Sequence, residues 1–227
     1  MSVIKTRAAG FDGNGFNLIT ASSATLTAMR SSALLDPNMS PQHGARYLVT
    51  DGALANKVVE WNTDAFIPID KIVVNRGSAT GAGVATRTSD NSTDTTTTTI
   101  ETATIPGFLM SKNSKLRIVP FWRFDSAGTK NISLSLFSTA AGDVSLAVSQ
   151  VSAANLAARH LYEIHAGNTY VNQFAFNNLS YSTSGGDYLN LAVDVKENFE
   201  IRFKCSWTAN LVGNTIRLLG YTIELLA

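Results

Sequence analysis

Thr215-Ile216-Arg217-Leu218-Leu219-Gly220-Tyr221-Thr222-Ile223-Glu224-Leu225-Leu226 is the longest strand-like run in the sequence. Leu219, Tyr221, Ile223 and Leu225 recur at a period of two, which puts them on one face of a strand. Ile216 and Leu218 lie on the other face, followed by Thr222 and Glu224. The apolar weight changes sides near Gly220, and a glycine inside a strand marks a bulge or a close backbone approach. One end of the run is expected to pack inside the protomer and the other to meet a neighbour. A strand of this kind needs a sheet to complete.

Working back from it, Asn198–Thr208 has the cleanest alternation in the chain. Phe199, Ile201, Phe203, Cys205 and Trp207 face one way, and Glu200, Arg202, Lys204 and Ser206 the other. Further strands are expected at Thr95–Ile105, Lys115–Phe124, Asn131–Ser138, Val144–Val148, Leu156–His165, Tyr170–Phe176 and Tyr188–Val195. The alanine-rich start of Leu156–His165 also permits a helix. Pro120 interrupts one run and calls for an edge or a bulge there. The spacing is that of an all-β antiparallel β-sandwich, about eight strands in about 130 residues, with a jelly roll as the expected type and an immunoglobulin-like sandwich as the second choice.

The first 75 residues read differently. Gly10, Gly13 and Gly15 around Phe11 and Phe16 describe either a frayed terminus or an arm docked on another surface. Leu26, Met29 and Ala33 have helical spacing, and Asp36-Pro37 would end that helix. Tyr47–Thr50 and Lys57–Trp61 flank a link containing Gly52, a small hairpin. Lys71–Val74 is another short strand candidate. The apolar residues of this region are too few to predict a core of its own. Residues 76–94 are rich in Gly, Ser and Thr and read as a polar linker. The expected division is therefore an attachment region at 1–75, a linker at 76–94 and a sandwich domain at 95–227.

Composition narrows the function classes. Lys+Arg is 18 and Asp+Glu is 17, so net charge offers no case for nucleic acid. No apolar run reaches the ~20 residues of a membrane helix, so no membrane insertion is expected. Met1–Arg7 has basic residues without an apolar stretch behind them, which is not a secretory signal. Cys205 is the only cysteine; its inward position between Phe203 and Trp207 reads as a small buried hydrophobe. His160 and His165 are five residues apart, on opposite faces of one strand, and cannot share a metal. Asp12 beside Gly13 and Asp187 after Gly185-Gly186 read as turn residues. No phosphate loop, nucleophile elbow or paired carboxylates stand out, so no enzyme, metal site or cofactor is expected. The candidate ligand-binding residues are Tyr181 and Tyr188, where aromatic faces meet Asn, Ser, Thr and Gly in the loop Asn177–Tyr188. Such a surface suits a host-surface glycan.

Two stretches carry a resemblance. Pro41-x-x-Gly44-x-Arg46-Tyr47-Leu48-Val49, with Glu60-Trp61-Asn62 and Ala65-Phe66 after it, resembles a small module of phage tail and tail-fibre proteins. The order Ile105-Pro106-Gly107-Phe108-Leu109, Lys112–Ile118 and the terminal Tyr221-Thr222-Ile223-Glu224-Leu225-Leu226 resembles a domain at the C-termini of phage virion structural proteins, of tail or collar fibre or head-decoration type. The resemblance implies a C-terminal jelly roll that forms a homo-oligomer, a trimer, in the virion. It also implies that other virion proteins hold the N-terminal region. A capsid decoration protein or a receptor-binding module for carbohydrate are the further readings.

Overall fold

The computed structural model describes residues 8–11, 17–77, 83–89, 95–125, 128–151, 156–171, 173–177, 188–208 and 213–226. An N-terminal unit comes first. It contains β1 (Ala8–Phe11), β2 (Asn17–Ala21), α1 (Ser23–Leu35), β3 (Arg46–Val49), β4 (Val58–Asn62) and β5 (Ala65–Pro68), the strands lying side by side in that order. The hairpin read from the sequence is β3–β4, antiparallel, with Tyr47 opposite Val59. The β2–β3 pair is parallel, because α1 carries the chain back across the sheet between them. Ser22 caps the helix by accepting from the Thr25 N–H at 3.1 Å. Leu26, Arg30 and Ala33 form its buried face.

The large side chains of this unit are buried in one cluster with those of the sandwich. Tyr47, Val49, Leu54, Val59, Trp61 and Phe66 are all buried. The Phe66 ring lies 5.3 Å from Tyr47, 4.8 Å from Trp61 and 6.1 Å from Phe108 of the sandwich. A few large rings do the work of many aliphatic side chains, since each buries about 150–250 Å².

The sandwich begins earlier than residue 95. β6 (Ile72–Gly77) and β7 (Ala85–Thr88) are followed by β8 (Thr98–Ile105), β9 (Lys115–Phe124), β10 (Lys130–Ser138), β11 (Gly142–Val151), β12 (Leu156–Arg159), β13 (Tyr162–His165), β14 (Gln173–Asn177), β15 (Tyr188–Leu191), β16 (Phe199–Trp207) and β17 (Thr215–Leu226). One sheet runs β11-β10-β16-β8 and the other β15-β14-β13-β9-β17-β6, with β12 also on β9 and β7 also on β17. All these pairs are antiparallel. β12 and β13 are one interrupted strand along β9, and β6 and β7 one interrupted strand along β17. The chain passes repeatedly from sheet to sheet, from β8 to β9 to β10 and finally from β16 to β17. This is an all-β antiparallel sandwich of two sheets, as the alternation predicted.

Two sequence readings change here. Ile72–Gly77, expected in the attachment region, belongs to the larger sheet, and Ala85–Thr88, expected as linker, is a strand of it. Lys71–Val74 reads as a strand but not as part of this sheet; Ala85–Thr88 escapes pattern reading because it is an edge strand, half exposed, with few apolar positions.

β17 keeps one face to the core along its whole length. Ile216 and Leu218 are buried, and so are Tyr221, Ile223 and Leu225. The register against β9 shifts between Leu218 and Gly220, which leaves Leu219 as the extra residue of a bulge. The change of side at Gly220 is therefore a local re-phasing, and no end is handed to a neighbour by it. The close approach is real: a Cβ on Gly220 would stand 2.5 Å from the Arg76 carbonyl oxygen and 2.8 Å from the Gly77 Cα. Pro120 pairs with Tyr221 next to this bulge, where β12 gives way to β13 on its other side. It therefore sits in a central strand at a point where both flanking ladders are irregular.

Candidate functional site

The structure scatters the residues singled out from the sequence. Tyr188 opens β15 and pairs with Phe176, while Tyr181, Asp12 and Asp187 lie outside the described residues. Cys205 is buried on the inward face of β16. His160 occupies the break between β12 and β13, buried and stacked on Tyr162 at 6.2 Å. Burial holds its pKa below the usual imidazole value. His165 ends β13 with its Nε2 3.4 Å from a Glu163 carboxylate oxygen. His43 lines a shallow hollow with Glu60, Asn62 and Lys71 on the N-terminal unit. Among the described residues, no three His, Cys, Asp or Glu side chains group as metal ligands would.

A dense polar constellation lies where α1 meets the sandwich. The Arg30 side chain leaves the buried face of the helix and is itself buried. Its Nε donates to the Asp64 carbonyl at 2.9 Å, and Nη1 to the carbonyls of Gly107 and Val195, the latter at 3.3 Å. Nη2 donates to the Met110 carbonyl. The guanidinium also stands 5.2 Å from the centre of the Tyr170 ring. Tyr170 donates its hydroxyl to Asp64 at 2.6 Å, and its pKa is pushed up to about 12, by burial first and then by that carboxylate.

The local chain explains this arrangement. The turn Pro106–Met110 points several carbonyls inward, and an arginine fork offers five donors to meet them. Gly107 fits there because a side chain would overlap the Lys196 carbonyl, and its N–H donates to Asn198 Oδ1 at 2.9 Å. Burial pulls the Arg30 pKa below the usual guanidinium value, while Tyr170 and Asp64 oppose that pull. The function of this constellation is mechanical: it fixes the N-terminal unit to the sandwich.

The opposite flank of α1 borders a cleft of about 950 Å³. Its walls are Ala24, Thr27 and Ala28 of the helix, Asp51–Ala53, Val74 and Arg76 of β6, and Thr102–Thr104 of β8. Beside it, Arg76 donates to Glu101 at 2.8 Å, and the Tyr221 hydroxyl lies 3.4 Å from the same oxygen. Asp51 closes the helix end by accepting from the Ser23 N–H at 2.6 Å, which holds its carboxyl below the usual range. No histidine or cysteine lines the cleft. Its hydroxyl-rich walls can hydrogen-bond a guest, and they carry no nucleophile paired with an imidazole base. Sequence reasoning found neither the junction nor the cleft, because both join segments far apart in the chain.

No protein-family model matches the chain, and no curated protein matches its sequence. Among solved structures it is similar to "Structure of infectious bursal disease virus Gt strain", with a TM-score of 0.30 and 11% identity, over 74% of this chain. It is also similar to "Structure of infectious bursal disease virus Gx strain", with a TM-score of 0.33 and 13% identity, over 78% of this chain. The chain spans 39% and 40% of the length of those two structures. A likeness this distant adds nothing to what the strand order already establishes.

Proposed function

We propose that the chain is a non-enzymatic structural component of a bacteriophage virion. It is a trimeric tail or collar fibre protein that attaches through its N-terminal unit and projects the jelly roll. Self-association buries sheet edges, of which β8, β11, β15 and β6 are the ones at hand. The segments that resemble phage virion proteins occupy structural positions: the 41–67 module forms β3–β5, and the terminal run is β17.

The observation that carries the reading is the placement of exposed apolar side chains. Leu35 is 88% exposed, Met39 57% and Ile69 52%, and all three belong to the N-terminal unit or its last turn. Three large apolar side chains left open on one unit supply surface that another protein can cover. The Arg30 junction complements this, since a projecting domain needs a stiff connection to its attachment point.

The test is substitution of the attachment surface. Leu35→Asp with Met39→Asp leaves the circular dichroism spectrum and melting temperature of the purified chain unchanged, because neither side chain is buried. The same pair of changes prevents incorporation into phage particles, read by immunoblot of purified virions. Incorporation at the unmutated level would reject attachment through this surface.

A further inference from the structure

The outer face of the larger sheet has two halves of different charge. In the first, Arg117 lies 3.2 Å from Glu163 and 3.7 Å from Glu224, and Lys115 lies 3.5 Å from Glu163. Cations and carboxylates balance there. In the second half, three arginines stand with one carboxylate, which two of them contact. Arg123 Nε and Arg217 Nη2 each stand 2.9 Å from Asp125. Arg159 has no carboxylate partner among the described residues, and its guanidinium lies 5.8 Å from the centre of the Phe121 ring.

Phe121 is 40% exposed at the middle of this half. The register puts Arg159 beside it on β12 and Gly220 beside it on β17, with Gly77 next to Gly220 on β6. Neither glycine has a side chain that could cover the ring. One row further, Arg123 stands next to Arg217 on the neighbouring strand. Adjacent strands are about 4.8 Å apart, so the guanidinium groups are close enough to serve one extended ligand.

We propose that this face binds a linear acidic polysaccharide, with its carboxylates on Arg159, Arg123 and Arg217 and a sugar ring against Phe121. An arginine fork matches a carboxylate in two hydrogen bonds. An exposed aromatic face takes the C–H side of a sugar ring. The site is an open strip rather than a pocket, which suits a polymer lying along it better than a small molecule. Nucleic acid would want a longer basic stripe, and the chain as a whole has a net charge of +1. A protein partner would want a larger apolar centre than one phenylalanine. Binding here is independent of where the chain sits in a particle.

The test uses the full chain with alginate as the acidic polymer and dextran as the neutral one, by isothermal titration. Alginate binds, the affinity falls as salt rises through physiological strength, and dextran does not bind. Arg159→Glu weakens alginate binding about tenfold, as reversal of one exposed charge should. Phe121→Ser weakens it as well. Both side chains are exposed, so the melting temperature stays put; Arg159→Gln serves as the milder variant and gives an intermediate loss. Equal binding of dextran, no binding of alginate, or an unaltered affinity in Arg159→Glu overturns the proposal. So does a Phe121→Cys variant that maleimide cannot label in the native assembly, because another copy would then cover the face.

Discussion

A chain cut after Gly220 will fail to fold. The lost segment carries Tyr221, Ile223 and Leu225, all buried, and full burial of such side chains contributes about 1.5–3 kcal/mol each. It also supplies the strand between β9 and β6, pairing Tyr221 to Leu226 with Pro120 to Lys115 on one side and Tyr221 to Glu224 with Arg76 to Ile72 on the other. The Tyr221 ring, 4.4 Å from that of Phe203, is one of the contacts between the two sheets. The combined loss is comparable to the entire stability of a domain, roughly 5–15 kcal/mol. The truncated chain is expected to aggregate on expression or to show no cooperative thermal transition. A truncated chain that melts cooperatively and assembles as the intact one does would refute this placement of β17.

The second large effect is at Arg30. Its replacement by alanine removes the donors to carbonyls of Asp64, Gly107, Met110 and Val195 while leaving those acceptors buried. An orphaned buried acceptor costs about 1–3 kcal/mol, but water entering the vacated space recovers part of that. A net loss of about 4 kcal/mol is expected, equivalent to roughly 10 °C in melting temperature for a chain of this size. Arg30→Lys should recover only part of it, since an ammonium offers three donors from one point instead of a planar fork. A drop of under about 1 kcal/mol in Arg30→Ala, measured by urea denaturation, would mean that the guanidinium does not fasten the two units.

The contrast between these two sites shows what alternation reveals and what it hides. β16 was legible from its alternation, and β17 from alternation on either side of one bulge, because a period of two has few other causes. The hairpin β3–β4 was legible from its turn chemistry. β6 reads as a short strand without its sheet, and β7 was hidden because an edge strand needs few apolar residues and its threonines look like linker. The packing of the N-terminal unit was hidden because Tyr47, Trp61 and Phe66 are spread thinly along the chain and meet only in space.

Arg30 was the hardest to foresee. On a helix an arginine normally reads as solvated surface, and the carbonyls that receive it come from 64, 107, 110 and 195. Gly220 was half legible: its sequence position predicted a bulge or close approach, and both are present, but the bulge turns the strand back to the same core. The tyrosine loop gave no comparable return, because Tyr181 lies outside the described residues. The arginine face around Phe121 was legible only after the register of β9, β12 and β17 was known.

The central claim is that this chain is built to assemble, so the decisive measurement is the mass of the intact, purified chain in solution by light scattering. A single species at three times the 24.3 kDa of one chain, stable on dilution, is the expected result. A species of 24.3 kDa at all concentrations would contradict it.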